Sequence, residues 1–324
     1  MRKPRHKRIP LIAGTVILGL LALLGYTFTP KAIDVSAYEA GALTFERGKD
    51  SNPSTLPDVT LSLIKCGKMM SKQVFVFRGG SVQRSYESGM AAVLVRHPNG
   101  SLLFDTGFGS NVDQHVKTIP LLMRAFTTYD KEIPAAVQLK EQGISAEDIR
   151  AIIISHSHWD HVSGLDGFPG VKVWLSNDEA DYIKQLGSGE LIKQMSDQVN
   201  LSPISFTVKQ YENFQRSLDV FADGSIVLVP LPGHTPGSLG MFVNLRSGKR
   251  FFFIGDLTWA IEGVQIPAER PWVARTLVDY DDDGVRRSIV RVYELMNHYP
   301  DMVIVPAHDR RVHDRIASFP DQER

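Results

Sequence analysis

Seven residues of this chain have the types and spacing to hold metal ions and activate water. Ser155-His156-Ser157-His158-Trp159-Asp160-His161 puts three imidazoles and one carboxylate into one short stretch. Imidazole nitrogen and carboxylate oxygen both suit Zn²⁺ and similar ions. Side chains this crowded repel or stay poorly solvated unless a cation holds them. Three more candidates follow, each at the end of an apolar run. Ile226–Val229 leads through Leu231-Pro232-Gly233 to His234, Phe251–Ile254 leads through Gly255 to Asp256, and Met302–Val305 leads through Pro306-Ala307 to His308. The prolines and glycines set tight turns that present each side chain at a strand end. Two metals in a hydrolytic site need an anionic bridge, and a carboxylate supplies it. The chemistry expected is that of two divalent ions, zinc by default, with Mn, Fe, Co or Ni also compatible. They would turn a shared water into hydroxide that attacks an ester-type carbonyl.

Such side chains need strands to carry them. The pattern predicts strands at Val59–Ile64, Val74–Phe77, Ala91–Val95 and Leu102–Phe104, with His97-Pro98-Asn99-Gly100 as a hairpin turn. Ala151–Ile154 is a β-branched strand running straight into the histidine cluster, and Lys172–Leu175 is another. Ala135–Gln142, Asp178–Leu186 and Asp282–His298 read as helices; in the last, Val285, Ile289, Val292 and Met296 recur at helical spacing. Ser145-Ala146-Glu147-Asp148 resembles a capping box. Strands first, then strands and helices alternating, predict sheets covered by helices. His6, His97, His115, His298 and His313 have no ligand-like setting and read as surface residues.

The 324 residues are 43% hydrophobic, enough for a sizeable core. Lys plus Arg and Asp plus Glu are equal at 36, so no nucleic-acid partner is expected. Cys66 is the single cysteine, which excludes disulfides and multi-cysteine zinc sites; it reads as a small buried hydrophobe. Arg2, Lys3, Arg5, Lys7 and Arg8 precede an uncharged run, Ile9–Thr29. About 20 apolar residues cross a bilayer as a helix, and a cleaved signal has a shorter apolar region. The expectation is a basic flank and transmembrane anchor at 1–30, a linker at 31–57 and a catalytic domain at 58–324. The basic residues stay cytoplasmic, giving a single-pass inner-membrane protein with an exported, periplasmic domain. Secretion after signal cleavage is the alternative.

His156-x-His158-x-Asp160-His161, followed by His234, Asp256 and His308, resembles the metallo-β-lactamase superfamily over Val59 to His308. The resemblance implies a four-layer α-β-β-α sandwich with metals at the sheet ends. It implies that His156, His158 and His234 hold one metal, that Asp160, His161 and His308 hold the second, and that Asp256 bridges them. Asp160 would also move a proton, which with Asp256 makes two catalytic carboxylates. The Asp105-Thr106-Gly107 turn matches a superfamily feature, and Asp105 is assigned to support a ligand imidazole from behind.

Among superfamily activities, the pattern is closest to the N-acyl-homoserine lactonase group. The stretch from Ala91 to Gly107 is similar to its N-terminal hairpin, as is the spacing from His234 to Asp256. That group places a Tyr three residues after the bridging Asp, where this chain has Trp259. A Cys ligand and a helical C-terminal domain after the last ligand, marks of other branches, are missing. The expected substrate is a small ester or lactone, with thioesterase or organophosphate and aryl ester hydrolysis as alternatives. A membrane-tethered metal-binding protein without catalysis is the alternative of another kind. Phe108, Trp159 and Trp259, with Lys68, Met69, Met70, Phe75 and Phe77, are candidates for an apolar pocket. Oligomeric state is not legible from the sequence.

Overall fold

Successive side chains of a strand point to opposite faces, and central strands such as Ile149–Ile153 and Ile226–Pro230 are apolar enough to bury both. The computed structural model describes residues 31–38, 44–45 and 52–324, with Gly14, Leu18, Gly19, Leu21, Ala22, Gly25 and Thr29 as separate positions. Seven strands form the first sheet: β1 (Thr60–Lys72), β2 (Ser85–Arg96), β3 (Ser101–Phe104), β4 (Thr128–Lys131), β5 (Ile149–Ile153), β6 (Lys172–Ser176) and β7 (Asn200–Ile204). Their order is β4-β1-β2-β3-β5-β6-β7. Five more form the second: β8 (Leu218–Asp219), β9 (Ile226–Pro230), β10 (Leu239–Asn244), β11 (Arg250–Phe253) and β12 (Val303–Val305). Their order is β12-β11-β10-β9-β8.

Three apolar layers follow from the alternation. Leu61, Leu63 and Ile153 of the first sheet meet Ile226, Leu228, Met241 and Phe253 of the second. Ile64, Leu103, Ile152 and Ile154 point the other way and pack with Leu139 and Ile183 of the helices Ala135–Glu141 and Asn177–Gln185. On the far side, Val227, Val229, Phe242 and Phe252 pack with Val285, Ile289, Val292 and Leu295 of the helix Asp282–His298. The result is helices, sheet, sheet, helix, the expected sandwich. Phe242 and Phe252 stack with centroids 3.8 Å apart at the centre of the outer layer.

Register decides where the loops emerge. β3, β5 and β6 run parallel, and Phe104 pairs with Ile153, so Asp105 and the loop from Ser155 to His161 leave the sheet together. β11 and β12 are also parallel, with Phe253 opposite Val305, so Asp256 and His308 each follow three residues beyond the last pair.

Several expectations are corrected. Val74–Phe77 is not a strand: β1 runs on to Lys72, and Gln73–Val76 is one helical turn closed by Phe77 N–H onto the Gln73 carbonyl. Its alternating V-F-V-F pattern is ambiguous over so few residues. β4, β7, β8 and the helix Trp272–Val278 were not anticipated. Described parts of the expected linker lie against the fold: Ile33 N–H donates to the Pro267 carbonyl at 2.7 Å, and Phe45 stacks on His298 at 4.0 Å. The anchor expected at Ile9–Thr29 falls mostly outside the described residues, among which no helix is long and apolar enough to cross a membrane.

Candidate metal centre

Four loops at one end of the two sheets bring all seven candidate ligands into one cluster. His156 Nε2 lies 3.0 Å from His158 Nδ1 and 3.1 Å from His234 Nε2. His308 Nε2 lies 3.2 Å from Asp160 Oδ2, and His161 Nε2 is 3.9 Å from the same oxygen. Asp256 stands between these two trios. Its Oδ1 is 2.9 Å from His308 Nε2 and 3.2 Å from His161 Nε2, while its Oδ2 is 3.6 Å from His234 Nε2. One carboxylate thus turns an oxygen to each trio.

Protein groups behind the cluster fix which ring nitrogen faces inward. His161 Nδ1 is 2.9 Å from Asp105 Oδ2, His234 Nδ1 is 2.7 Å from Asp279 Oδ1, and His308 Nδ1 is 2.9 Å from the Gly89 carbonyl. His156 Nδ1 is 3.0 Å from Ser155 Oγ. In each of these four rings Nε2 is left for the cluster, an arrangement typical of metal-binding imidazoles. Asp105 also accepts from Ser155 N–H and Ser155 Oγ, at 2.7 and 2.9 Å. It does so with φ at +55°, a left-handed conformation that asparagine and aspartate tolerate best among side-chain residues.

Two further carboxylates escaped the sequence reading. Glu179, fully buried near the start of the helix Asn177–Gln185, accepts from Ser157 N–H (2.8 Å), Ser157 Oγ (2.6 Å), Thr235 Oγ1 (2.6 Å) and Gly237 N–H (3.2 Å). It ties the loop bearing His156 and His158 to the turn bearing His234. Gly237 has no room for a side chain, since a Cβ there would come 2.0 Å from the Glu179 nitrogen. Asp279 pairs with Arg270 at 2.6 Å while holding His234, and the Arg270 guanidinium lies 4.8 Å from the centre of the Trp259 ring. Two acidic residues in or beside polar helices look like surface in sequence; only the fold brings them to Ser157 and His234.

The electrostatics suit cations. Burial, reinforced by neighbouring imidazoles, holds His156 and His158 well below the ordinary histidine range, so their nitrogens carry free lone pairs. Burial also disfavours charge on His161, but Asp105, Asp256 and Asp160 outweigh it and hold that ring well above its ordinary range. For Asp256, burial is overcome by His308 and His161, which keep the carboxyl well below the usual carboxylate range. His161 Nε2 and Asp256 Oδ1 are buried and make no hydrogen bond, although they face each other. Buried polar atoms without partners are costly. Here two occur together in the donor group His156-His161-Asp256, whose ligand atoms lie within 4.8 Å of one another, as do those of His156-His158-His234 and of Asp160-His161-His308. The residues fit divalent cations.

An apolar cavity of about 340 Å³ opens above the cluster. Met69, Phe75, Trp159 and Trp259 line it, together with Met123 and Phe126 of the helix Leu121–Phe126 and Leu277 of the helix Trp272–Val278. Phe108 does not: it is buried 5.5 Å behind the Trp159 ring, because the chain turns inward at Gly107. Lys68, Met70 and Phe77 lie outside the wall as well. The Trp259 indole N–H is already committed, donating to Asp256 Oδ2 at 2.7 Å.

Residues 89–308 match the metallo-β-lactamase superfamily. The chain belongs to the metallo-β-lactamase superfamily. As a member it is a metal-dependent hydrolase with an α/β fold of the family type. A probable metallo-hydrolase of Mycobacterium tuberculosis is 28% identical over 67% of this chain and 73% of its own length. The N-acyl homoserine lactonase AttM of Rhizobium radiobacter is 22% identical, covering 78% of this chain and 94% of its own. Among solved structures, an N-acyl homoserine lactone hydrolase with N-hexanoyl-L-homoserine at its catalytic metal centre aligns with a TM-score of 0.66. It is 18% identical and covers 83% of this chain and 100% of its own. AidC, a dizinc quorum-quenching lactonase, aligns with a TM-score of 0.52 at 16% identity, covering 86% and 92%.

Of the other histidines, His97, His115 and His313 are buried rather than exposed. His97 Nε2 pairs with Asp223 at 2.8 Å, His115 Nδ1 lies 2.9 Å from Ser163 Oγ, and His313 Nε2 meets the Pro306 carbonyl at 3.1 Å. His97 sits in the turn after β2, whereas His115 and His313 end the short helices Val112–His115 and Arg310–His313. His298 is exposed and His6 lies outside the described residues.

Proposed function

We propose that this chain opens an ester-type carbonyl bond, a lactone such as an acyl-homoserine lactone in the first place, with two divalent cations, zinc expected. The observation that carries the reading is Asp256, whose two oxygens face two separate ligand trios beneath an apolar cavity. His156, His158 and His234 would hold one cation, Asp160, His161 and His308 the other, and Asp256 both. Bound there, the pair supplies an acidified water and a Lewis acid for the carbonyl and leaving oxygen. The chain does the rest. Asp105, Asp279 and the Gly89 carbonyl orient the imidazoles. Trp259 fixes the Asp256 carboxylate through its indole N–H, so that N–H is not free to polarise a substrate carbonyl. Asp160, partly exposed on the cavity wall, is placed to carry a proton to the departing oxygen. The apolar walls exclude bulk water and seat an acyl arm.

The basic flank and the uncharged run Ile9–Thr29 support a further part of the reading, an inner-membrane anchor with residues 58–324 exported as the catalytic domain.

Lactone opening releases acid, so a pH-indicator assay with acyl lactones, run beside aryl esters, thioesters and phosphotriesters, tests the substrate. Lactones should rank first. Inert lactones with good turnover of another class would overturn the lactone assignment. Elemental analysis of the loaded protein should give about two metals per chain; one or none would overturn the paired site.

A further inference from the structure

Among the described residues lining the cavity there is no lysine or arginine, and one acidic residue, Glu190, stands apart from the metal cluster. Glu190 precedes the short helix Leu191–Gln194 and sits at the cavity rim. Its backbone is engaged, the N–H donating to the Gly187 carbonyl and the carbonyl accepting from Lys193 N–H and Gln194 N–H, all at 3.1 Å. Its side chain has no ion-pair or hydrogen-bond partner among the described residues. Burial alone pushes its carboxyl up, and no neighbouring cation pulls it back. Arg270 does not line the cavity: its Nη1 donates to Asp279 Oδ1 and its guanidinium lies over the Trp259 ring. The acids deeper in the cavity, Asp160 and Asp256, are turned to the imidazoles.

Glu190 is exposed, so its carboxylate stays solvated at the mouth of an otherwise apolar wall and faces whatever enters. It makes physical sense as a discriminator. A substrate arm that carries its own anion would meet like charge with no basic residue to compensate, whereas an arm with an N–H or ammonium donor would find an acceptor. Penalising the wrong partner through an uncompensated charge is an economical route to specificity.

We propose that Glu190 is a specificity-determining residue that restricts this site to esters whose arm is neutral or cationic and excludes arms bearing an anion. The inference rests on the ester-hydrolase reading above and adds the charge class of the substrate.

The test uses the metal-loaded full chain and acyl lactones of equal length ending in a methyl, a carboxylate or an amine. Wild type should favour the methyl-ended over the carboxylate-ended lactone by about tenfold or more in kcat/KM, mostly through KM. Glu190→Gln should shrink that ratio, and Glu190→Lys should invert the ranking of carboxylate- and amine-ended substrates. Added salt should compress the wild-type ratio, because a rim charge is screened. Equal use of methyl- and carboxylate-ended lactones by wild type, or a ratio unmoved in both variants, overturns the proposal. If no lactone or ester is hydrolysed by wild type, the ester-hydrolase reading fails and takes this inference with it.

Discussion

Replacing Glu179 should loosen the metal centre without touching a ligand. Its carboxylate receives four hydrogen bonds, two from Ser157 and two from the Thr235–Gly237 turn. In Glu179→Ala the two hydroxyls can re-aim, but Ser157 N–H and Gly237 N–H lose their acceptor inside the protein. Each unsatisfied buried donor costs about 1–3 kcal/mol. Water entering the space left by the side chain recovers part of that, so a loss of about 3 kcal/mol is expected. At about 2–4 °C per kcal/mol for a large domain, melting of the metal-free protein falls by about 6–12 °C. Glu179→Gln keeps one oxygen for Ser157 and sets an NH₂ against Gly237 N–H, so it should cost roughly half as much. Because the side chain spans the loop of His156 and His158 and the turn of His234, the Ala variant should also bind zinc about 10–100-fold more weakly. Thermal unfolding and a zinc competition titration against a chelator read the two effects. An Ala variant with wild-type melting and wild-type zinc affinity would refute the reasoning, as would a Gln variant that is the worse of the two.

Asp105→Asn should weaken metal binding about 10–100-fold while leaving the fold intact, because the amide can still serve Ser155 but no longer orients His161 as a carboxylate does; circular dichroism and metal titration check both halves. Asp256→Ala should abolish most turnover and lower the metal content, since its two oxygens face the two trios; full activity would sink the bridge. Phe252→Ala should cost about 3–5 kcal/mol in chemical denaturation, because the ring is fully buried and stacked on Phe242. Cys66 should resist alkylation in the native protein at mildly alkaline pH and react after denaturation: it is buried, and burial pushes its thiol up to about 12.

What could be read from sequence was whatever lay close along the chain or carried a strong period. His156, His158, Asp160 and His161 announce themselves because ligand types crowd together. His234, Asp256 and His308 follow because each ends an apolar strand at a Pro- or Gly-containing turn. Helix Asp282–His298 was legible from its apolar spacing. The supporting cast was not. Glu179 occupies a polar helix start, a place where acids are favoured for ordinary reasons. Asp279 and Arg270 are charged residues in charged surroundings, and only burial distinguishes them. Trp259 lines the cavity, but the direction of its N–H depends on the position of Asp256. The V-F-V-F run at Val74–Phe77 misled because a stretch that short cannot separate strand from a single helical turn.

The parallel pairing of β11 with β12 has a consequence for how the protein is made. Ribosomes deliver the chain from its N-terminus, and the segments holding His156, His158 and His234 emerge well before His308. β12 is the edge strand of its sheet and pairs with β11 only after the long helix Asp282–His298 has crossed between them. Non-local parallel pairing of this sort is slow to form. A growing chain therefore carries every member of the first trio, His156, His158 and His234, while the second, Asp160 and His161, still waits for His308.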